Sequence, residues 1–128
     1  MKRVTGIGGI FFKAKDPVAL RAWYQRHLGI DVTEWGGAVF RWADDPAQPA
    51  GGMTVWSIAA GDAETFAPSA APFMINYRVA DLAALLAALR SEGCEVLEKT
   101  DDSEYGKFGW VIDPEGHKVE LWQPPEGQ

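Results

Sequence analysis

Apolar and polar positions in the N-terminal part of the chain predict a strand followed by a helix. Residues 4–16 form a β-rich apolar segment, and residues 16–29 carry apolar side chains at helical spacing on one face. Asp16 suits the N-cap, because its carboxylate can accept hydrogen bonds from the free N–H groups of the first turn. Pro17 fits the first helical position, and Gly29 suits the exit from the helix.

Turn residues divide the rest of the chain into further strands, a second helix and a linker. Residues 61–71 are rich in small residues and proline, and they form the predicted linker. Residues 101–104 are interpreted as a solvated loop. In chain order the predicted strands are 31–35, 38–43, 52–60, 73–80, 94–99, 107–112 and 118–123, and the second predicted helix is 81–93.

The order of these elements repeats along the chain. Asp16 aligns with Asp81 at the starts of the two helices, and Gly29 aligns with Gly93 at their ends, at nearly the same separation. Two similar but unrelated α/β pieces would give part of this pattern, because strand, Asp, helix and Gly often occur in that order. An internal duplication of a strand–helix–three-strand unit explains more of it. The predicted fold class is therefore α+β.

His117 and Glu120 lie three positions apart, a spacing that would place both side chains on one face of a helix. The sequence DPEG at residues 113–116 instead predicts a turn, and the β-type run after it predicts a strand. On a strand the two side chains point to opposite faces, so they do not share a metal ion. His117 is then a surface residue at the turn. Glu120 lies on the same face of this strand as Trp122, which is expected to be the concave side of the sheet. It is there either a site residue or a solvated carboxylate.

Composition narrows the classes of function. The chain has 128 residues, 47% of them hydrophobic, which indicates one folded domain. A net charge of −6 argues against nucleic acid as a partner, because no basic stripe is present to neutralise phosphates. No apolar run approaches the roughly 20 residues that span a bilayer, so no membrane association is expected. The single cysteine, Cys94, favours a reducing cytoplasm.

The duplicated unit, the helical stretch WYQRHLGI and the closing DPEGHKVELW together resemble the glyoxalase/bleomycin-resistance/dioxygenase superfamily, also called vicinal-oxygen-chelate proteins. The resemblance covers essentially the whole chain. It implies a single domain over 1–128, with module one at 1–60, a linker at 61–71 and module two at 72–128. Two tandem βαβββ modules would form one curled mixed β-sheet around a cleft, with the helices outside. The resemblance also implies a homodimer.

Metal-dependent members of this superfamily hold a divalent cation with two side chains from each module. The resemblance places the four positions at Gly9, Trp56 or Ser57, Met74 or Ile75, and Glu120. Glu120 is the one strong ligand in this set, whereas protein sites for such metals use about three or four N, O or S ligands. We therefore expect neither a metal nor another cofactor.

In place of a metal, the cleft is expected to have an aromatic lining that binds a small organic molecule. The alternative is that the tryptophans fill the core, a narrow cleft or a dimer interface. Residues 104–110 form either a lip over this cleft or an ordinary entry into a strand. The predicted ligand-binding residues are Phe11, Lys13, Trp56, Met74, Asn76, Lys107, Trp110 and Trp122. Gly9, Thr54, Ile58 and Arg78 are predicted to point inward with them, and Phe108 is the alternative to Lys107 as the inward residue near the start of the strand at 107–112.

Three functions fit these residues. The first is a metal-independent protein that binds a small organic molecule, as the drug-sequestering members of the superfamily do. The second is a glyoxalase-like lyase or isomerase, or a dioxygenase-related enzyme, with Glu120 as its catalytic base; a pKa of Glu120 raised by burial beside Trp122 would favour it. The third is a regulatory or scaffolding dimer whose cleft is filled by Trp side chains. The missing metal ligands, the aromatic residues and the acidity favour the first.

Overall fold

The computed structural model describes residues 3–44 and 51–128. Within these residues the chain forms two α-helices and eight β-strands. The helices are α1 (Pro17–Leu28) and α2 (Leu82–Ser91). The strands are β1 (Val4–Ala14), β2 (Gly37–Arg41), β3 (Met53–Ala60), β4 (Phe73–Val79), β5 (Glu95–Val96), β6 (Asp101–Ser103), β7 (Gly106–Ile112) and β8 (Lys118–Gln123). No helix in the described part of the chain is long and apolar enough to cross a membrane.

All the strands belong to one mixed sheet, which curls into a half-barrel with the helices outside. The strand order is β2-β3-β1-β4-β8-β7-β5, and β6 pairs with β7. β1 and β3 are parallel, as are β4 and β8, and β1 pairs antiparallel with β4 within the one chain. In each half, the first strand (β1 or β4) therefore pairs in parallel with the last strand of its own half and antiparallel with the first strand of the other half. The predicted α+β fold of two tandem modules around a cleft is confirmed.

Aspartate caps start both helices, as the sequence predicts. Asp16 Oδ1 accepts a hydrogen bond from the Ala19 N–H at 3.0 Å, and Asp81 Oδ1 accepts one from the Ala84 N–H at 3.1 Å. Gly29 ends α1 in the left-handed region, with a φ of 67°. These local signals determine where both helices begin and where α1 ends.

The sheet carries two apolar clusters. One lies under α2 and consists of buried aliphatic side chains: Val79, Leu82, Leu85, Leu86 and Leu121. The other lies at one end of the cleft, where Phe66 from the segment between β3 and β4 packs against Met74 and Trp110. The apolar positions of α2 are thus buried, whereas α1 contains no buried residue.

Two strand predictions and one loop prediction need correction. Residues 31–35 are not a strand, because hydrogen bonds from the Thr33 N–H to Gly37 O and from the Gly36 N–H to Thr33 O close a tight turn there. The strand predicted at 94–99 shortens to β5. The loop predicted at 101–104 begins with β6, which pairs antiparallel with β7 through a tight turn at Gly106, whose φ is +115°.

Candidate functional site

A cavity of about 480 Å³ lies on the cleft side of the sheet. The central strands β1, β4 and β8 contribute to its wall, together with β2, β3 and β7. Its lining is mostly apolar and aromatic, with a small number of polar groups. The lining residues are Gly8, Phe11, Trp35, Val39, Met53, Val55, Asn76, Tyr105, Phe108, Glu120, Trp122 and Gln128. This combination is typical of sites that bind small organic molecules.

Glu120 is the buried acidic group of this cavity, with 9% of the residue exposed. Its Oε1 accepts a hydrogen bond from Asn76 Nδ2 at 2.6 Å, and its Oε2 accepts one from Trp110 Nε1 at 2.9 Å. The sheet register sets both contacts, because Glu120 lies beside Asn76 on β4 and beside Trp110 on β7. The carboxylate is therefore held in one orientation by two neutral donors on neighbouring strands.

Burial raises the pKa of Glu120 above its ordinary value, because the charged form loses its hydration. The hydrogen bonds from Asn76 and Trp110 and the positive charge of Lys118 act in the opposite direction, and the negative charge of Asp101 adds to the rise. A carboxyl group with a raised pKa in a cavity is suited either to binding a donor or to accepting a proton during a reaction.

Asn76 supports Glu120 but leaves one polar atom without a hydrogen bond. Its side chain is buried, and its Oδ1 has no partner among the described residues. Gly8 lies directly against this amide: a Cβ built at Gly8 would overlap Asn76 Oδ1 and would lie 2.8 Å from Trp122 Cε3. A residue without a side chain is therefore required at position 8 for Asn76 and Trp122 to occupy their positions.

Aromatic rings form the wall beside Glu120. The rings of Phe108 and Trp122 are stacked, with centroids 6.0 Å apart and planes 7° apart. Trp122 Nε1 donates to Tyr105 O at 2.9 Å, which fixes the indole orientation. The Arg78 guanidinium lies over the rings of both Trp42 and Trp122, with its carbon 4.9 Å and 5.2 Å from their centroids. This side of the cavity is thus preorganised before any ligand binds.

The predicted site residues are divided between the cavity and its surroundings. Phe11, Asn76, Glu120 and Trp122 line the cavity. Trp110 lies behind Glu120 as its hydrogen-bond donor, and Met74 packs against Trp110 and Phe66. Lys13 Nζ lies 5.2 Å from the centroid of the Phe66 ring, and Lys107 is exposed on β7. Their roles in ligand binding stay predictions.

The inward direction predicted for β3 is wrong. Met53 and Val55 line the cavity, whereas Trp56 packs edge-on against Phe12 and Tyr24 on the helix side. Thr54 and Ile58, which alternate with Met53 and Val55, were predicted to point inward as well. In β3 the side chains on both faces are largely apolar, so polarity does not distinguish the face toward the cavity from the face toward α1.

On β1, Gly8 and not the predicted Gly9 lies beside the cavity. β1 pairs with β4 through register shifts between Val4 and Gly6 and between Ile7 and Gly9. Such irregularities change which side chains face the cleft, and simple alternation does not anticipate them.

Two aromatic residues reach the cavity from turns, and neither is among the predicted ligand-binding residues, although Tyr105 belongs to the segment 104–110 interpreted as a lip over the cleft or a strand entry. Trp35 lies within the tight turn before β2, and Tyr105 lies in the turn before β7; they are 53% and 69% exposed. Both line the cavity. In each case an aromatic residue stands directly before a glycine in the sequence. This pattern does not by itself indicate whether the side chain points toward the cavity.

The residues present do not fit a metal ion at the positions that the superfamily uses. Met74 is buried in an apolar cluster, and a side chain at Gly9 would lie 2.7 Å from the Phe11 ring. Glu120 already accepts from Asn76 and Trp110. Over residues 3–44 and 51–128, no three His, Cys, Asp or Glu side chains are grouped closely enough to hold a metal ion.

The model of the Glyoxalase-like domain family matches residues 9–122. The chain belongs to this family. No curated protein sequence matches it significantly. Its fold is similar to that of methylmalonyl-CoA epimerase from Mycobacterium tuberculosis, with a TM-score of 0.66 and 20% identity, over 98% of this chain and 91% of that chain.

Two further solved structures share the fold. A methylmalonyl-CoA epimerase in complex with methylmalonyl-CoA and NH4+ gives a TM-score of 0.69 at 20% identity, covering 98% of each chain. A glyoxalase/bleomycin resistance protein/dioxygenase superfamily member from Vibrio splendidus 12B01 gives 0.59 at 13% identity, over 91% of this chain and 97% of that chain. At these identities the similarity establishes the fold.

Proposed function

We propose that this protein binds a small organic molecule in the aromatic cavity without a metal. The observation that carries the proposal is the cavity of about 480 Å³, whose apolar walls surround the buried Glu120–Asn76 pair. A few fixed polar groups in an apolar cavity give a ligand both affinity and orientation. The cavity also counts against the hypothesis of a vestigial cleft, which requires Trp side chains to fill that space.

The test is a binding screen of flat aromatic compounds, followed by titration calorimetry of the hits, with two variants of strand β2. Val39 lines the cavity, and its neighbour Phe40 is not among the lining residues. Val39→Trp should fill part of the cavity and abolish binding, whereas Phe40→Trp should retain it. Equal binding by both variants would place the ligand elsewhere, and a screen without hits would contradict the proposal.

A second candidate function is a glyoxalase-like lyase or isomerase, or a dioxygenase-related enzyme, in which Glu120 accepts a proton from the substrate. The raised pKa of the Glu120 carboxyl group supports it, because a buried carboxylate with a raised pKa is a stronger base than a solvated one. The fold similarity to methylmalonyl-CoA epimerases suggests a first probe.

The measurement for this candidate is the exchange of the acidic C–H of methylmalonyl-CoA in D2O, followed by NMR. Enzyme-dependent exchange that disappears in Glu120→Gln and persists in Glu95→Gln, an exposed control on β5, would establish base catalysis. Exchange at the rate of the buffer alone would leave this substrate without support.

We further propose that the protein acts as a homodimer in the cytoplasm. Exposed apolar residues along β1, namely Val4, Ile7 and Ile10, support a subunit interface. The single exposed cysteine, Cys94, is compatible with a reducing compartment. Sedimentation analysis should give a dimer that Ile10→Glu dissociates. A wild-type monomer at micromolar concentration would contradict the dimer.

A further inference from the structure

The buried carboxylate of Glu120 has no charged partner in the described part of the chain. The ion pairs there join Arg3 to Glu92 and Asp113 to His117, and Glu120 takes part in neither. Its two hydrogen-bond donors, the Asn76 amide and the Trp110 indole, are neutral. A buried carboxylate without a counter-charge is costly, and proteins usually pair such a group with a cation or bind a metal there.

The basic side chains that lie over the Trp110 and Trp122 rings are engaged with groups other than Glu120. Lys118 Nζ donates to Thr65 O at 2.9 Å and lies over the Trp110 ring, and Lys99 Nζ lies over the same ring. Arg78, two positions along β4 from Asn76, donates to Met53 O at 3.1 Å and Gln128 O at 2.7 Å. Asp101 on β6, which pairs with β7, is a further negative charge that acts on Glu120. Lys118 compensates the Glu120 charge only in part, because burial still raises the pKa of this carboxyl group. A cation that enters the cavity would add to this compensation.

The geometry leaves Glu120 able to accept more hydrogen bonds. A carboxylate has about four acceptor sites on its two oxygens, and Asn76 and Trp110 occupy one on each oxygen. Glu120 lines the cavity together with Phe108 and Trp122, whose rings are stacked on each other. Aromatic faces attract cations through the ring quadrupole, and an amidinium or guanidinium donates two parallel hydrogen bonds to a carboxylate.

We propose that the cavity selects planar organic cations, such as aromatic amidines, whose charged nitrogens donate to Glu120 while the ring lies among the aromatic walls. This inference rests on the proposed function, since it names the chemical class of the ligand for the same cavity. The net charge of −6 adds a long-range attraction for such ligands.

Three probes of one shape test the charge preference. 2-Naphthamidine is cationic, 2-naphthamide is neutral and 2-naphthoate is anionic, while the ring system is the same. Titration calorimetry of the full chain should show the amidine binding at least about tenfold more tightly than the amide, because hydrogen bonds between charged partners are stronger than those with a neutral donor. The naphthoate should bind most weakly.

Glu120→Gln should reduce the preference for the amidine over the amide to about threefold or less. Glu95→Gln removes an equal charge from the exposed edge of the sheet and should leave the preference intact. If the Gln variant does not fold, the ranking of the three probes by the wild-type protein decides the question.

The outcomes separate the two proposals. If wild-type protein binds all three probes equally, and Val39→Trp abolishes that binding, the preference for cations is wrong and the small-molecule site stands. If none of the three probes binds, the cation preference is wrong and the proposed function loses its support for ligands of this size. Tighter binding of the naphthoate than of the amidine would also overturn the inference.

Discussion

The two halves of the sheet share a topology and differ in packing and in chemistry. In the second half, α2 buries Leu82, Leu85 and Leu86 against the sheet, whereas α1 in the first half has no buried residue. The second half also supplies the Glu120 carboxylate and the groups that hold it. The first half contributes apolar wall residues such as Phe11 and Val55. The second half thus carries the buried leucine cluster and the polar groups of the cavity, and the first half contributes apolar residues to the cavity wall.

The largest expected effect tests the difference in packing between α2 and α1. Leu86→Ala should lower the free energy of unfolding by about 3 kcal/mol, because it leaves a cavity under α2 in a fully packed cluster. Leu20→Ala on α1, where the side chain is half-buried, should cost about 1 kcal/mol. Urea denaturation measures both values. Equal losses for the two variants would show that the helices contribute alike.

The sequence predicts a buried face for both helices, and this prediction holds for α2 but not for α1. The Asp16 and Asp81 caps and the turn at 113–116 are local signals, so the helices and β8 are predicted correctly. The helical spacing of apolar residues predicts a buried face for both helices. On α1, however, Trp23 is 49% exposed and Leu28 is 60% exposed. Burial depends on how closely a helix approaches the sheet, which sequence periodicity does not specify.

The candidate site was predictable where polar residues stand out on an apolar strand. Asn76 and Glu120 are such residues on β4 and β8, and both line the cavity. Trp56 was misplaced because side chains on both faces of β3 are largely apolar. Trp35 and Tyr105 reach the cavity from turns whose direction depends on long-range pairing of β2 and β7. Non-local contacts of this kind leave no trace in a short stretch of sequence.

An intermediate effect tests how closely the first half approaches the polar site. Gly8→Ala should destabilise the protein by about 1–3 kcal/mol and weaken ligand binding, because the added methyl overlaps Asn76 and crowds Trp122. Gly6→Ala in the same strand is the matched control, since its added Cβ would lie in ordinary contact, 3.4 Å from Trp42. Thermal unfolding and calorimetric titration report both properties. Similar behaviour of the two variants would contradict the close approach at Gly8.

The smallest expected effect is the pH dependence of stability that Glu120, in the second half of the sheet, produces. The pKa of Glu120 is raised in the folded protein above the ordinary 4.5, so ionisation costs more when folded than when unfolded. Its contribution to stability is therefore fully present below about pH 4.5 and is lost as the pH rises through the folded-state pKa.

Wild-type protein should accordingly lose stability relative to Glu120→Gln as the pH rises from 4.5 through the folded-state pKa of Glu120. Urea denaturation across this range measures the difference, and the exposed control Glu95→Gln accounts for the general effect of removing one negative charge. A difference that grows in favour of the wild type with rising pH would contradict the raised pKa of Glu120, because it would mean that the Asn76 and Trp110 hydrogen bonds and the Lys118 charge stabilise the carboxylate more than burial destabilises it.

The most direct measurement of a ligand site in front of Glu120 is a 1H–15N spectrum of the tryptophan indoles during titration with 2-naphthamidine. The Trp110 indole N–H donates to Glu120, and the Trp122 ring lines the cavity, whereas Trp23 is exposed on α1. We predict saturable shifts of the Trp110 and Trp122 resonances, with Trp23 unmoved. Shifts confined to Trp23, or no saturable shift at Trp110 and Trp122, would contradict this account of the cavity.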